Sequence, residues 1–288
     1  MSNELRQSLG LTHATAMVVG TIIGASIFVQ PSEITKQMPS VTGIILVWLA
    51  AGVLTMFGAL VCAELSSAFP RTGGVYVFLT EAFSPALGFL WGWAMFWSMH
   101  SGIIAAIAMV FGRYTATIVP LGDLGIRLVA VGAIAVLSGV NYLGVRPGSS
   151  VQTALTIAKI GAIGVLLALL FGMGTPQMPE ALGAIEPRGF LRALVAGLFA
   201  FGGWHMVTYA AEETHTPERT IPRALMLGTA VVVVIYLALN SAYLLVLPFD
   251  AVLKSTHIAF DATLATADVA SNAMCVDAST RSNGSTSR

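Results

Sequence analysis

Long apolar runs alternate with short polar breaks over most of the chain. With a window of about 19 residues, the runs lie near 12–30, 41–67, 84–113, 126–143, 150–173, 190–211 and 222–247. Each is about as long as, or longer than, the roughly 20 residues that a helix needs to cross about 30 Å of hydrocarbon. The breaks carry helix-ending residues, as in Arg146-Pro147-Gly148 and Thr216-Pro217-Glu218. The pattern predicts an all-α membrane protein, a multi-span helical bundle with about seven transmembrane helices within residues 1–260.

The two ends of the chain lack spanning runs. The start, MSNELRQSLG, shows no small-residue cleavage site, so the first span is expected to stay as a signal anchor. Residues 261–288 are rich in Ser, Thr, Ala and Asn and predict a polar, disordered tail. Lys and Arg in the short loops do not decide the orientation, and a cytoplasmic amino terminus with a multi-pass position in the cell membrane is the expectation. Pro222 is expected to open the seventh helix as its first residue.

Composition excludes several other classes of protein. Hydrophobic residues make up 56% of the 288 residues and charged residues 10%, as in a membrane protein. Lys plus Arg and Asp plus Glu number 14 each, so charge predicts no nucleic-acid partner. Cys62 and Cys275 are too differently placed to predict a disulfide framework. The sequence has no hydrolase motif, phosphate loop or metal-spaced His and Cys cluster, so no enzyme, metal site or cofactor is expected.

The stretch GTIIGASIF, residues 20–28, places Gly24-Ala25-Ser26 inside the first apolar run. Small residues weaken a helix, and an unwound backbone at membrane depth needs protein or water around it. The spacing of Gly20 and Gly24 also fits a GxxxG face that packs against another helix. If the helix breaks instead, its second half presents N–H groups suited to a carboxylate and its first half presents carbonyls suited to an ammonium group. One broken span could then hold both charged ends of an amino acid.

A second apolar run carries the same kind of defect. LFAFGGW, residues 198–204, puts Gly202-Gly203 inside the sixth run. The glycine pair could serve only to admit a bulky neighbour. Interruptions in the first and sixth spans, with uninterrupted spans between them, are however typical of a transporter built from inverted repeats. Trp204 and His205, which follow the second defect, are interpreted as packing and hydrogen-bonding residues and not as ligands.

Several motifs resemble the amino acid, polyamine and organocation transporters: GTIIGASIF, FPRTGGVYVFL, LFAFGGW and AEETHTPERTIPRAL. The matches are collinear over residues 8 to 255, and the last two motifs are similar to the L-type amino acid transporter branch. The resemblance implies a partial inverted-repeat, LeuT-like transporter fold, truncated after the seventh span. Substrate in such a fold lies between the broken first and sixth spans.

The resemblance also implies a substrate site beside the two breaks. Its substrate-binding residues are Ile22, Gly24, Ala25, Ser26, Phe199 and Gly202. Amides around Ala25 and Ser26 would hold the carboxylate, and carbonyls of Ile22, Phe199 and Gly202 would hold the amino group. Phe199 would also close the site from outside as an aromatic gate. The family more often has Gly-Ser-Gly where this chain has Gly24-Ala25-Ser26, which implies a narrower pocket or a weaker hold on the carboxylate.

Charged residues inside or beside the apolar runs are further candidates. Lys159 lies within the fifth run, where a cation costs several kcal/mol unless it snorkels to the interface or finds acceptors. By resemblance, Lys159 takes the place that a sodium ion holds in sodium-coupled relatives. Glu64, Arg71 and Glu212-Glu213 lie near the inner ends of runs, and the resemblance implies that such residues help to close the cytoplasmic side. Exposed helix ends explain these charges equally well.

The leading interpretation is a secondary amino acid transporter that works by alternating access, as a sodium-independent exchanger or a proton-coupled permease. The alternative is a truncated or frameshifted transporter fragment without transport activity. The expected partners are an amino acid substrate and the lipid bilayer. An accessory or homo-oligomeric partner is not identified by the sequence.

Overall fold

Helices form nearly all of the regular structure in the computed structural model, which describes residue 7 and residues 9–142, 145–174, 176 and 184–267, without the side chains of 145–149. In chain order the helices are α1 (Leu11–Ile22), α2 (Gln30–Gln37), α3 (Val41–Ala68), α4 (Val75–Ala82), α5 (Pro85–Ala94), α6 (Ser101–Ala116), α7 (Asp123–Tyr142), α8 (Val145–Met173), α9 (Pro187–Ala200), α10 (Pro217–Val246), α11 (Phe249–Lys254) and α12 (Ile258–Ala267). Tighter 3₁₀ turns cover Ala25–Phe28 and Trp204–Glu213, and a π-helical turn covers Met95–His100. The all-α prediction is confirmed for the described residues.

Six helical stretches among the described residues are long and apolar enough to cross a membrane: Val41–Ala68, Pro85–Ala116, Asp123–Tyr142, Ser150–Met173, Pro187–Glu213 and Pro217–Val246. The first predicted span, near 12–30, is not among them because no helix within it is long enough. Its helix α1 has 12 residues. At 1.5 Å per residue this is about 18 Å, which is short of the hydrocarbon thickness. The 3₁₀ turn Ala25–Phe28 and α2 continue the chain after α1.

The seventh predicted span begins earlier than expected. Helix α10 starts at Pro217, so Pro222 lies inside it, and the expectation that Pro222 opens the helix is wrong. A proline inside a helix lacks the N–H that would bond to the carbonyl four residues before it, here that of Glu218. The Ser67 hydroxyl donates to this Glu218 carbonyl at 3.0 Å. The helix can therefore continue through Pro222 because a side chain from α3 satisfies the carbonyl.

The polar tail also begins later than residue 261. Helix α12 covers Ile258–Ala267, so the prediction of disorder is wrong for 261–267, and residues 268–288 lie outside the described residues. Ile258, Ala262 and Thr266 are buried and follow one another at four-residue spacing. That spacing gives the segment one buried helical face.

The chain divides into two compact units, of which the first contains Met1–Ser26, Gly52–Ala158 and Leu198–Val233. Glycines let its helices approach closely. A β-carbon at Gly58 of α3 would lie 2.9 Å from the Trp204 ring, and one at Gly228 of α10 would lie 2.6 Å from a methyl carbon of Val18. The ring of Trp204 therefore fills space left by a glycine, which agrees with the interpretation of Trp204 as a packing residue.

The second unit contains Ile27–Ala51, Lys159–Gly197 and Val234–Arg288. Its core is centred on Trp48 and Tyr236, whose fully buried rings meet edge to face at 5.5 Å between centroids. Gly197 of α9 packs on α3, where a β-carbon would lie 3.0 Å from that of Ala51. Helices α2 and α11 pack against each other in the same unit.

Candidate functional site

The first break lies between α1 and the turn that follows it. Helix α1 ends at Ile22, and Ile23 leaves the helical region with φ −72° and ψ 82°. The Gly24 N–H then donates to the Ile22 carbonyl at 2.8 Å, and the chain tightens into the 3₁₀ turn Ala25–Phe28. The predicted interruption at Gly24-Ala25-Ser26 is therefore present.

The second break lies between α9 and the 3₁₀ segment Trp204–Glu213. Helix α9 ends at Ala200, and the Gly202 N–H donates to the Phe199 carbonyl at 3.1 Å. Gly203 follows with φ +105°, a backbone conformation that residues with a side chain rarely adopt. The 3₁₀ segment is itself irregular, because Ala210 has φ −104° and ψ 28°. The predicted defect in the sixth run is present, and Gly203 is its conformational centre.

The two breaks touch each other within the first unit. The Ser26 hydroxyl donates to the Ala200 carbonyl at 3.3 Å. A β-carbon at Gly203 would lie 2.9 Å from the Thr21 carbonyl oxygen and 3.2 Å from its carbon, so the glycine lets two backbones meet. The bulky neighbour that the glycine pair admits is thus the main chain of α1 and not a large side chain. Sequence reasoning identified neither Gly203 nor Thr21 as the point of contact.

The spacing of Gly20 and Gly24 does not form a common packing face. A β-carbon at Gly20 would overlap the Thr156 side chain of α8. At Gly24 the nearest atom would be the Ile22 carbonyl oxygen, at 3.9 Å. Gly20 is therefore a packing glycine, whereas Gly24 borders open space at the break. The packing interpretation holds for the first residue of the GxxxG pair and not for the second.

The predicted substrate-binding groups lie on both sides of the contact between the breaks. Gly24, Ala25 and Ser26 are half-buried, and the first N–H groups of a helical turn have no partner inside it. The Ile22 and Phe199 carbonyls each accept one local N–H, and a carbonyl oxygen has a second lone pair that can accept another donor. Gly202 is exposed, as is Phe199, whose residue surface is 59% accessible. The arrangement offers donors and acceptors of the kinds that a zwitterion needs.

The gate candidates Glu64 and Arg71 have different neighbours. The Arg71 guanidinium forms an ion pair with Glu81 of α4. Glu64 is exposed on α3 and lines a groove of about 670 Å³ together with Pro222 and Arg223 of α10. Sequence reasoning did not identify Glu81, which carries no signal beyond its place two residues after the FPRTGGVYVFL motif.

A reciprocal link joins the loop after α3 to the end of the sixth span. The Thr72 N–H donates to the Glu212 carboxylate at 3.4 Å, and the Glu212 N–H donates to the Thr72 hydroxyl at 3.2 Å. Leu9, which lies just before α1, bonds to the residues that follow Glu212. Its N–H donates to the Glu213 carbonyl at 3.0 Å, and its carbonyl accepts the His215 N–H at 2.9 Å. The end of the sixth span is thus tied both to the FPRTGGVYVFL motif and to the approach to α1.

Lys159 lies near the middle of α8, and its side chain is half-buried. It belongs to the second unit, whereas both breaks belong to the first. A position nine residues after the start of the apolar stretch at Ser150 is about 13 Å along the helix at 1.5 Å per residue. Snorkelling to the interface would need most of the length of a lysine side chain, which leaves the cation dependent on nearby acceptors.

A family model described as an amino acid permease matches residues 9–277 of this chain. The serine/threonine exchanger SteT of Bacillus subtilis (strain 168) is 32% identical over 246 residues, which are 85% of this chain and 56% of that protein. The b(0,+)-type amino acid transporter 1 of Oryctolagus cuniculus is 33% identical over 268 residues, 90% of this chain and 55% of that protein. The cystine/glutamate transporter of Homo sapiens is 29% identical over 267 residues, 89% of this chain and 53% of that protein. The chain spans about half the length of the curated relatives it matches.

Proposed function

We propose that this chain, which belongs to the amino acid permease family, carries amino acids across the cell membrane by alternating access. The observation that carries the proposal is the meeting of two interrupted spans, with Ser26 bonded to the Ala200 carbonyl and Gly203 lying against Thr21. Broken helices that meet in this way bring free backbone dipoles of both signs to one place inside a membrane. The relatives that match this chain are named as exchangers or transporters of amino acids, which supports amino acids as the substrate class.

In this proposal the backbone recognises the two charged groups that all amino acids share. Amides of Gly24, Ala25 and Ser26 donate to the substrate carboxylate at the positive end of the turn. The carbonyls of Ile22, Phe199 and Gly202 accept from the substrate ammonium group. Both sets lie beside the contact between the breaks, so a small zwitterion can engage them together. Side-chain selectivity then depends on other residues around the site.

Access from the two sides is proposed to be controlled by different residues. The exposed Phe199 is the outer aromatic gate, because its ring lies one turn before the second break. Glu64 and Arg71 belong to the closure of the cytoplasmic side, where Arg71 holds Glu81 and the Thr72–Glu212 link joins the loop to the sixth span. The amino terminus is also proposed to be cytoplasmic, because Leu9 bonds to Glu213 at the same end of the sixth span.

Lys159 is proposed to replace a coupling sodium ion, which makes the carrier a sodium-independent exchanger or a proton-coupled permease. A fixed cation near the middle of α8 supplies the positive charge without an ion from solution. Exchange of sodium for choline in the assay should therefore leave transport unchanged.

The test is exchange of a labelled external amino acid for unlabelled internal amino acid in proteoliposomes that contain the 288-residue chain. A panel of neutral, cationic and anionic amino acids identifies the substrate. We expect Phe199→Ala to lower the exchange rate about tenfold, because an open gate no longer encloses the substrate. Phe83→Ala is the matched control, since Phe83 is 70% exposed at the end of α4 and is expected to leave exchange unchanged.

Absence of exchange for the whole panel, in protein that is folded and inserted, would contradict the proposal. That result would favour the alternative of a transporter segment without transport activity of its own. Equal effects of Phe199→Ala and Phe83→Ala would contradict the gate assignment while leaving the carrier proposal standing.

A further inference from the structure

Two histidines contact the ring of one tyrosine, Tyr209, which lies in the 3₁₀ segment after the second break. The His205 and Tyr209 ring centroids are 5.8 Å apart with planes at 89°, and the His100 and Tyr209 centroids are 6.5 Å apart with planes at 78°. Each histidine sits on an irregular helical segment. His100 closes the π-helical turn Met95–His100, and His205 is the second residue of the 3₁₀ segment after Gly203. π-helical turns within α-helices are frequent at functional sites.

Both imidazoles carry an unused nitrogen. The Nε2 atoms of His100 and His205 are buried and have no hydrogen-bond partner within the part of the chain that the structure describes. A buried polar atom without a partner costs about 1–3 kcal/mol. Most buried polar atoms in folded proteins have a partner, and an exception calls for an explanation such as strain, a catalytic role or a bound water or ion. Packing alone does not account for two of them around the same tyrosine ring.

The neighbouring elements hold Tyr209 in place and add few ionisable groups. Gly74, just before α4, packs closely against Tyr209, since a β-carbon at Gly74 would lie 2.7 Å from a Tyr209 ring carbon. Trp91 of α5 hydrogen-bonds to Tyr209, and the buried thiol of Cys62 on α3 interacts with it electrostatically. Glu212 and Glu213 follow Tyr209 in the same segment; Glu212 is exposed and bonds to Thr72, and Glu64 on α3 is exposed. Among the described residues the rings that contact the histidines are those of Tyr209 and Trp204, and no carboxylate forms an ion pair with either histidine.

We propose that His100 and His205, which both contact the ring of Tyr209, form the binding site for one proton that crosses the membrane together with each amino acid. This inference rests on the proposed carrier function and names its driving ion. The proton comes from water on the outer side and forms an N–H bond with a free imidazole nitrogen of the pair. It returns to cytoplasmic water when the carrier opens inward. Both imidazoles lie against the same tyrosine ring, so a proton on one disfavours a second proton on the other by like-charge repulsion, and the pair binds one.

The position of His205 explains how the proton and the substrate depend on each other. His205 lies in the first turn after the second break, where free N–H groups make a positive charge unfavourable. A substrate carboxylate bound at the breaks offsets that charge. Binding of the carboxylate and binding of the proton therefore favour each other by the same factor, as linkage requires. When only the substrate or only the proton is bound, its charge at the site is not offset by the opposite charge of the other.

The test distinguishes proton-driven accumulation of substrate from exchange of substrate. It uses proteoliposomes that contain the full chain and an amino acid that the chain exchanges. With the outer solution one pH unit more acidic, accumulation of substrate should approach about tenfold, the limit for one proton per substrate. His205→Gln and His100→Gln keep a polar side chain but cannot bind the proton, so accumulation should disappear. Exchange at equal pH needs no net proton movement, so it should persist at saturating substrate, where the weaker binding that linkage predicts for these variants no longer limits the rate. His13→Gln is the matched control, because His13 is exposed on α1 and should keep full accumulation.

Accumulation that survives in both histidine variants would overturn the proposal. So would an equal loss of exchange at every pH, because that result assigns the histidines to substrate binding or to structure. A direct measurement covers the case in which the chain shows no exchange at all. Titration of ¹⁵N-labelled histidines by NMR in nanodiscs should show a coupled signal that is lost in His205→Gln and retained in His13→Gln, and the absence of any such titration would also overturn the proposal.

Discussion

The first and second breaks interrupt their helices by different local means. At the first break no residue from Ile22 to Phe28 has a positive φ, and the chain turns through Ile23 into the 3₁₀ segment Ala25–Phe28. At the second break Gly203 has φ +105° and lies against the backbone of Thr21. The first break uses backbone conformations that residues with side chains adopt readily, whereas the second requires a glycine.

This difference explains how the chain accommodates its departure from the family pattern. The resemblance to the transporter family implies Gly-Ser-Gly where this chain has Gly24-Ala25-Ser26. Because the first break needs no positive φ, an alanine in the middle position imposes no backbone strain there. The Ser26 hydroxyl is instead used across the breaks, in its bond to the Ala200 carbonyl. The number of glycines alone therefore overstates how much a substitution would disturb the first break. It understates how much a substitution would disturb the second.

Gly203→Ala should have the largest effect on either break. Alanine at this φ costs about 1–2 kcal/mol, and the added methyl group must also displace the Thr21 carbonyl from a distance of 2.9 Å. We expect a total loss of about 2–4 kcal/mol in the free energy of unfolding and at least a tenfold fall in amino acid exchange. Thermal unfolding in detergent and exchange in proteoliposomes measure the two effects.

Gly132→Ala is the control for Gly203→Ala. Gly132 lies within α7, and a β-carbon there would meet no atom within 4 Å. Because alanine is a better helix former than glycine, this variant should be as stable as the unchanged protein or more stable. A Gly203→Ala protein with unaltered unfolding temperature and exchange would show that the second break does not depend on the glycine.

Gly20→Ala and Gly24→Ala test the first break at its two glycines. A methyl group at Gly20 would meet the Thr156 side chain, whose hydroxyl is already bonded to the Gln152 carbonyl at 2.8 Å. We expect Gly20→Ala to destabilise the protein by about 1–3 kcal/mol and Gly24→Ala by less than about 0.5 kcal/mol, measured by thermal unfolding. Equal losses at the two positions would instead indicate a shared GxxxG packing face.

The existence of the breaks could be predicted from the sequence, whereas the contacts that join them could not. Small residues clustered inside an apolar run are a local signal, because the cost of an interrupted helix in a membrane depends on those residues themselves. The Ser26–Ala200 bond joins residues 174 positions apart, and the Thr72–Glu212 link joins residues 140 positions apart. Such pairs depend on how the helices pack, for which a single sequence holds no direct signal.

The same limit accounts for the errors at helix ends. Pro222 predicts a helix start by its own chemistry, but Ser67 of α3 supplies the hydrogen bond that lets α10 begin at Pro217. Residues 261–267 predict disorder by composition, but buried Ile258 and Ala262 hold α12 on one face. In both cases a partner distant in sequence overrides a local preference.

Ser26→Ala should have only a modest effect, and it separates the contact between the breaks from the proposed binding chemistry. The variant loses the 3.3 Å bond to the Ala200 carbonyl, which is worth about 0.5–1.5 kcal/mol. It keeps the Ser26 N–H, so the KM of the transported amino acid should rise no more than about threefold. Ser98→Ala, at an exposed position in the π-helical turn, is the control and should change neither quantity. Complete loss of exchange in Ser26→Ala would assign the hydroxyl itself, and not the backbone amide, to the substrate carboxylate.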